Sequence, residues 1–383
     1  MKKIGIITHY YNSKNYGGVL QAYALCAFLR KEGYDAEQIQ FDKEYGKGLK
    51  RRIGNVCRAV LSIPQRIKYT GIYRKLSQKE KNFFEFRDEW IPHSKTVYTQ
   101  RTLKKLAGEY DLFITGSDQV WHPNAVCDAY LLDFGMDGIH KMSYAASISK
   151  DSLTEQEQIR YQKALADYRA ISVREKNAVG LLQSFIAMPI KWVVDPVFLL
   201  CKEEWQSVID DDQKTDFPYV ACYFLGDDKD IRKLAKEYAE NRGFRLVTIP
   251  FLSGEVRQAD IGFGEEPRID VAPMEFVKII KNAEVVFTDS FHAMAFSLIF
   301  ERQFFVFERN IKSSMSSRIE SLAEMFDTPD HFCNDSKKRT IEYIVQADSI
   351  DYTKPFPMFE TMRSDSIAFL NENIDKCLKE AQG

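Results

Sequence analysis

Val285-Val286-Phe287-Thr288-Asp289-Ser290-Phe291-His292 is the stretch on which the fold turns. Four apolar, β-branched or aromatic positions end in Asp-Ser, and a helical pattern begins at once. A short strand that feeds a helix through a tight polar turn is the unit of a parallel α/β sheet. The same grammar recurs on both sides of it. Ile4–Thr8 reads as a strand, followed by a polar loop through Asn15–Gly18 and a helix from about Val19 to Lys31, with Gly33 as its stop. Ala36–Phe41, Asp111–Thr115, Met142–Ala146, Ala170–Arg174 and Trp192–Asp195 read as further strands. In the second half Tyr219–Leu225, Phe244–Ile249 and Phe304–Phe307 join Val285–Thr288. Helical patterns there cover Lys229–Asn241, Pro273–Asn282, His292–Glu301 and Arg318–Phe326.

A chain of 383 residues exceeds what one core organises, so two domains are expected. The polar, acidic stretch Cys201–Pro218 marks their junction. The first domain is placed at 1–200 and the second at 218–350. A last amphipathic helix, Phe359–Leu378 within 355–383, follows Lys354-Pro355-Phe356-Pro357. Two open sheets, each with loops at its strand C-termini, put a shared site between them.

Net charge is −2, so the molecule as a whole has no electrostatic attraction for nucleic acid. Seven cysteines are scattered without a CxxC pair, which reads as reduced thiols with neither disulfide nor zinc site. No ligand set for a metal is apparent. MKKIGIITHYYN is not a signal peptide and nowhere do 18 apolar residues run together, so the cytoplasm is expected. The charge is uneven in one region only. Lys47–Lys75 holds nine Lys or Arg and no Asp or Glu, with Leu49, Ile53, Val56, Val60, Ile63 and Ile67 at helical spacing and Pro64 expected to kink or end the helix. It is either an insertion packed on the first domain or an amphipathic surface that rests on anionic lipid at the inner face of the membrane.

Several residues could carry chemistry. His292 falls on the first turn of a helix, where unpaired N–H groups and the dipole favour an anion. The dipole disfavours its cation whereas a phosphate would favour it, so His292 could act as an acid near neutral pH. The bland alternative is that Ser290 caps the helix and His292 fills space. Arg174 ends a strand and can grip a carboxylate or phosphate with two bonds, or else pair with Glu175 or Asp195. Arg309, followed by Ser313–Ser317 and Arg318 ahead of a helix, makes a phosphate nest or an ordinary N-cap. Gly116-Ser117-Asp118-Gln119-Val120-Trp121 offers carboxylate, amide and indole suited to sugar hydroxyls and a pyranose face. Tyr16-Gly17-Gly18 is too short for a dinucleotide fingerprint.

These segments together resemble the polysaccharide pyruvyl transferase family. The residues that carry the resemblance are NYGGVLQAYAL from Asn15, FITGSDQVWHP from Phe113, SVRE from Ser172, VVDPVFLL from Val193, VFTDSFHAMAFSLIF from Val286 and SSRIESL from Ser316. The resemblance implies two facing Rossmann-like domains similar to GT-B glycosyltransferases, with a C-terminal helix that returns to the first domain. It implies transfer of pyruvate from phosphoenolpyruvate onto two hydroxyls of a sugar, as a cyclic ketal with phosphate release. No cofactor is implied, since phosphoenolpyruvate is a co-substrate. The acceptor would be a glycan or lipid-linked oligosaccharide.

By the same resemblance His292 is the acid, Arg174 binds the donor, and Arg309 or Arg318 lies near its phosphate with Ser290 and Ser317. Asp118 is a candidate to orient or deprotonate the acceptor, and Asp289 a weaker one. Tyr16, Gly17, Gly18, Ser117, Gln119 and Trp121 fall on the acceptor side. Phe291 stands where some members carry an arginine. Two alternatives stay open: a GT-B glycosyltransferase with a nucleotide-sugar donor, and a non-catalytic sugar-binding protein. Glu301 and Glu308, with six residues between them rather than seven, do not match the glutamate pair of retaining enzymes.

Overall fold

The computed structural model describes residues 2–43, 63–136, 138–209, 215–251, 257–309 and 317–380. The first sheet is parallel in the order β2 (Asp35–Gln38), β1 (Lys3–Ile7), β3 (Leu112–Thr115), β4 (Lys141–Ser143). Bridges Met142↔Ala170 and Ala146↔Val173 continue it onto the pair β5 (Ile171–Val173) and β6 (Ile190–Trp192). The second sheet, also parallel, runs β12 (Phe332–Cys333), β11 (Gln303–Phe307), β10 (Val285–Thr288), β7 (Tyr219–Tyr223), β8 (Arg245–Thr248), β9 (Glu266–Pro267). Leu112–Thr115 and Val285–Thr288 are buried throughout because helices cover both faces. Each sheet reverses direction beside its first strand, between β1 and β3 and between β7 and β10. The crevice beyond the strand C-termini at such a reversal is where open α/β sheets bind ligands.

The helix α1 (Tyr16–Lys31) starts on Asn15, whose side chain accepts from Gly17 N at 3.0 Å. It joins the two halves. Tyr16 stacks on Phe276 of α3 (Pro273–Lys281) at 4.3 Å and 6°, and its hydroxyl donates to Val271 O at 3.0 Å. Ile4, Val19 and Leu20 of the first half share one buried core with Val247, Phe276 and Phe296 of the second. The last helix, α6 (Pro357–Glu380), packs back on the first half. Arg363 donates to the carbonyls of Phe198 and Leu199 at 2.8 and 3.0 Å, and Ser366 Oγ accepts from Val194 N at 3.0 Å. Among the described residues no helix is long and apolar enough to cross a membrane.

Two expectations need correction. The strand expected at Trp192–Asp195 lies at Ile190–Trp192, because the chain leaves the sheet before Pro196. A 21-residue helix, α2 (Thr70–Trp90), stands where none was expected. Only Lys79, Phe83 and Phe86 of it are buried, too thin a stripe for a clear period. Pro64 sits on the first turn of a short helix, Ile63–Lys68, where its missing N–H costs nothing, and the stretch before it, on which the expected kink or stop bears, lies outside the described residues. Leu49, Ile53, Val56 and Val60 lie outside the described residues, and Ile67 is 72% exposed.

Candidate active site

The chemistry-bearing side chains are delivered by strand ends. β3 releases Gly116-Ser117-Asp118, and Asp118 takes φ 74°, ψ 178°. A positive φ on a non-glycine costs on the order of 1–3 kcal/mol and persists where surrounding contacts enforce it. Here Val120 N and Ser147 N both donate to the Asp118 carbonyl, at 2.7 and 3.0 Å. β5 releases Arg174, and the turn after β6 presents Asp195, which caps the following turn by accepting from Val197 N at 3.2 Å. β10 hands over to α4 (Phe291–Ile299), whose N-cap is Ser290.

Arg174 organises the first wall. Its Nη1 donates to Asp195 Oδ2 at 2.7 Å and its Nη2 lies 3.4 Å from Asp118 Oδ1. Nε stands 3.9 Å from Glu175 Oε1, and the guanidinium lies 4.8 Å over the Phe291 ring. Ser117 Oγ donates to the same Asp195 Oδ2 at 2.9 Å. Burial pulls the Arg174 pKa down, but Asp195, Asp118 and Glu175 together carry it above its usual value. For Asp118 burial pushes up, while Arg174, His9 and His292 bring the carboxyl below its usual value.

A cavity of about 460 Å³ opens between the halves. His9, Asn15, Phe41, Lys43, Asp118, Gln119 and Tyr130 line it from the first half, and Leu225, Phe251, Ser290, Phe291, His292, Arg309 and Arg318 from the second. Helix starts at Asn15, Ser290 and Ser317 converge on it, the last beginning α5 (Ser317–Met325). Buried donors around it have no hydrogen-bond partner among the described residues: His292 Nε2, Arg318 Nε, Ser317 Oγ and Gln119 Nε2. Burial, together with Arg174 and Arg309, pulls Arg318 down to about 9 against the pull of Glu175 and Asp118. Burial also brings His292 to about 4. Asp195, 3.8 Å from Nε2, and Asp118 oppose the shift, whereas Arg174 and Arg318 add to it. The ring is packed over Gly17 so tightly that a Cβ there would fall 1.9 Å from Nδ1. Among the described residues no group of side chains could hold a metal ion.

The structure thus gathers His292, Asp118, Gln119, Ser290, Arg309, Arg318, Gly17 and Gly18 at or beside one cavity, with Ser317 adjoining. Other expected site residues it places elsewhere. Trp121 is 0% exposed, with Nε1 donating to Tyr130 O at 2.9 Å, so it is core and not a sugar platform. The Tyr16 ring is committed to Phe276, and Ser117 to Asp195 behind the wall. Arg174 does not face the cavity; three carboxylates hold it. Ser290 makes no side-chain cap bond. Asp289 points away, accepting from Leu225 N and Gly226 N at 2.6 and 2.7 Å, and so fixes the loop after β7. The balance expected of His292 near neutral pH is displaced, because burial and two arginines outweigh two carboxylates. Sequence reading passed over His9 and Lys43, whereas the pairing of Arg174 with Asp195 that it offered is the one formed, at 2.7 Å. For Asp195 the signal was an acid directly after Val193-Val194 and before Pro196, a strand end like that of Asp289.

Two facing parallel α/β sheets with a cleft at both reversals are a GT-B fold, and solved structures agree. The S. aureus MnaA–UDP structure superposes with a TM-score of 0.56 at 12% identity, over 95% of this chain and 91% of that one. The UDP-GlcNAc 2-epimerase of Neisseria meningitidis bound to UDP-GlcNAc gives 0.51 at 11% identity, over 98% and 100%. No curated protein matches the chain in sequence. The family model for polysaccharide pyruvyl transferase matches residues 15–310, and the chain belongs to that family.

Proposed function

We propose that this protein transfers pyruvate from phosphoenolpyruvate to two hydroxyls of a sugar in a surface glycan or its lipid-linked precursor. The observation that carries this is the set of unpartnered buried donors on the second wall. A trianionic donor supplies the acceptors that Arg318, Ser317 and His292 lack. Arg318 and Arg309 take the phosphate in this reading. Arg174 acts at one remove by holding Asp118 and Asp195. A phosphate between the arginines and the imidazole also cancels the field that suppresses His292. The donor thereby raises the pKa of its own acid and arms it for protonation of the methylene carbon. The basic 47–75 stretch would bring the cleft to a lipid-borne acceptor.

The nucleotide-sugar alternative receives no support from its glutamate pair, since Glu301 faces outward and pairs with Lys202 at 2.5 Å. Thermal melting decides between the two donors. Phosphoenolpyruvate should raise the melting temperature and UDP-GlcNAc should not. The reverse pattern would overturn the proposal.

A further inference from the structure

The first wall carries a second histidine. His9 lies two residues beyond the end of β1 and lines the same cavity as His292 and Arg318. Its ring stands edge-on to Tyr130, with centroids 4.5 Å apart at 79°, which fixes its plane. Gly17 and Gly18 lie between the two histidines. A Cβ on Gly17 would strike His292 Nδ1, whereas one on Gly18 would fall 2.8 Å from the His9 carbonyl oxygen and 3.4 Å from Asp118 Oδ2. Both histidines border the one cavity of about 460 Å³. The charged groups acting on His9 are Asp118 and Lys43, with the Tyr130 ring against it. Burial is the largest influence and keeps the imidazole below its usual value, with Asp118 opposing and Lys43 adding.

We propose that His9 is the general base that takes the proton of the attacking sugar hydroxyl. This role rests on the pyruvyl-transfer reading and gives it the proton acceptor it lacks. His292, as imidazolium, gives a proton to the methylene carbon while the acceptor oxygen bonds to C2, and that hydroxyl's proton passes to His9. The bond from C2 to the phosphate oxygen then breaks, with its electron pair going to phosphate. The second hydroxyl oxygen bonds to C2 and its proton leaves on the phosphate. His9 and His292 return to their starting states by exchange with water. Two hydroxyl protons enter; one ends on the methyl group and one on phosphate, so no oxidant or reductant is needed. Asp118 stabilises the imidazolium that His9 becomes.

The test measures phosphate release from phosphoenolpyruvate with p-nitrophenyl hexopyranosides as acceptors. His9→Gln should lower kcat about 10²–10³-fold. It should leave the melting-temperature rise given by phosphoenolpyruvate as in wild type, and abolish the acid limb of kcat/KM against pH. His9→Ala should regain turnover with added imidazole. A His9→Gln enzyme within about threefold of wild type, or one that only melts lower and keeps the acid limb, overturns the role of His9 alone. A wild-type protein that releases no phosphate with any hexoside overturns the pyruvyl reading and His9 with it.

Discussion

Arg174 and Arg318 are both buried arginines of one cleft, and their surroundings are opposites. Arg174 lies among Asp195, Asp118 and Glu175, with a hydroxyl and an aromatic face beside it. Arg318 has no described carboxylate within ion-pair distance and its Nε lacks a hydrogen-bond partner among the described residues, while Arg174 and Arg309 act on it against the weaker pull of Glu175 and Asp118. A buried charge answered from within the protein belongs to the scaffold. A buried charge left unanswered is a folding penalty kept because something else answers it. Residue type and burial are the same in the two regions; only the second borders the cavity.

The largest effect should come from breaking the answered region. Arg174→Met strands buried carboxylates and should cost about 3–5 kcal/mol in urea unfolding. An unchanged midpoint would end its assignment to the scaffold. A somewhat smaller effect concerns pH. His292 has a folded pKa of about 4 against an ordinary value of 6.5. Between those values the unfolded chain binds a proton that the folded one refuses. Stability from this group is therefore complete above pH 6.5 and is lost as pH falls toward 4, by up to about 3 kcal/mol. His292→Gln should flatten that slope by its share, while His331, also at about 4, keeps its own. Equal slopes in the two proteins would show that His292 is not held neutral.

The smallest effect on folding sharpens the comparison most. Arg318→Gln should leave unfolding within about 1 kcal/mol of wild type, since no internal pair is lost. It should nevertheless remove the stabilisation that inorganic phosphate gives, about 2.7 kcal/mol at a hundred times Kd. A large loss of stability would place Arg318 with Arg174.

Sequence alone could not draw this contrast. It saw two arginines at element boundaries and offered Arg174 a pairing with Asp195, but could not see that Asp118, far away along the chain, closes on Arg174 as well while neither carboxylate pairs with Arg318. The strands were legible because Val285–Thr288 and its counterparts are short apolar runs bounded by turns. Trp121 misled because its partner, the Tyr130 carbonyl, arrives through a loop without a period. α2 was hidden because it buries so little of itself. The cavity's residues were found where they follow strand ends directly. His9 was missed because a lone histidine after Thr8 carries no pattern.

The core that runs unbroken through Tyr16 and Phe276 has a mechanical consequence. Two-domain enzymes with separate cores swing shut on their substrates and surrender part of the binding energy to that motion. In this chain the stacked rings hold the two walls at a fixed spacing once it has folded, and the imidazole of His292 rests in the notch that Gly17 leaves open. The cleft behaves as a mould rather than a jaw. Its selectivity is then set by what fits a space already formed.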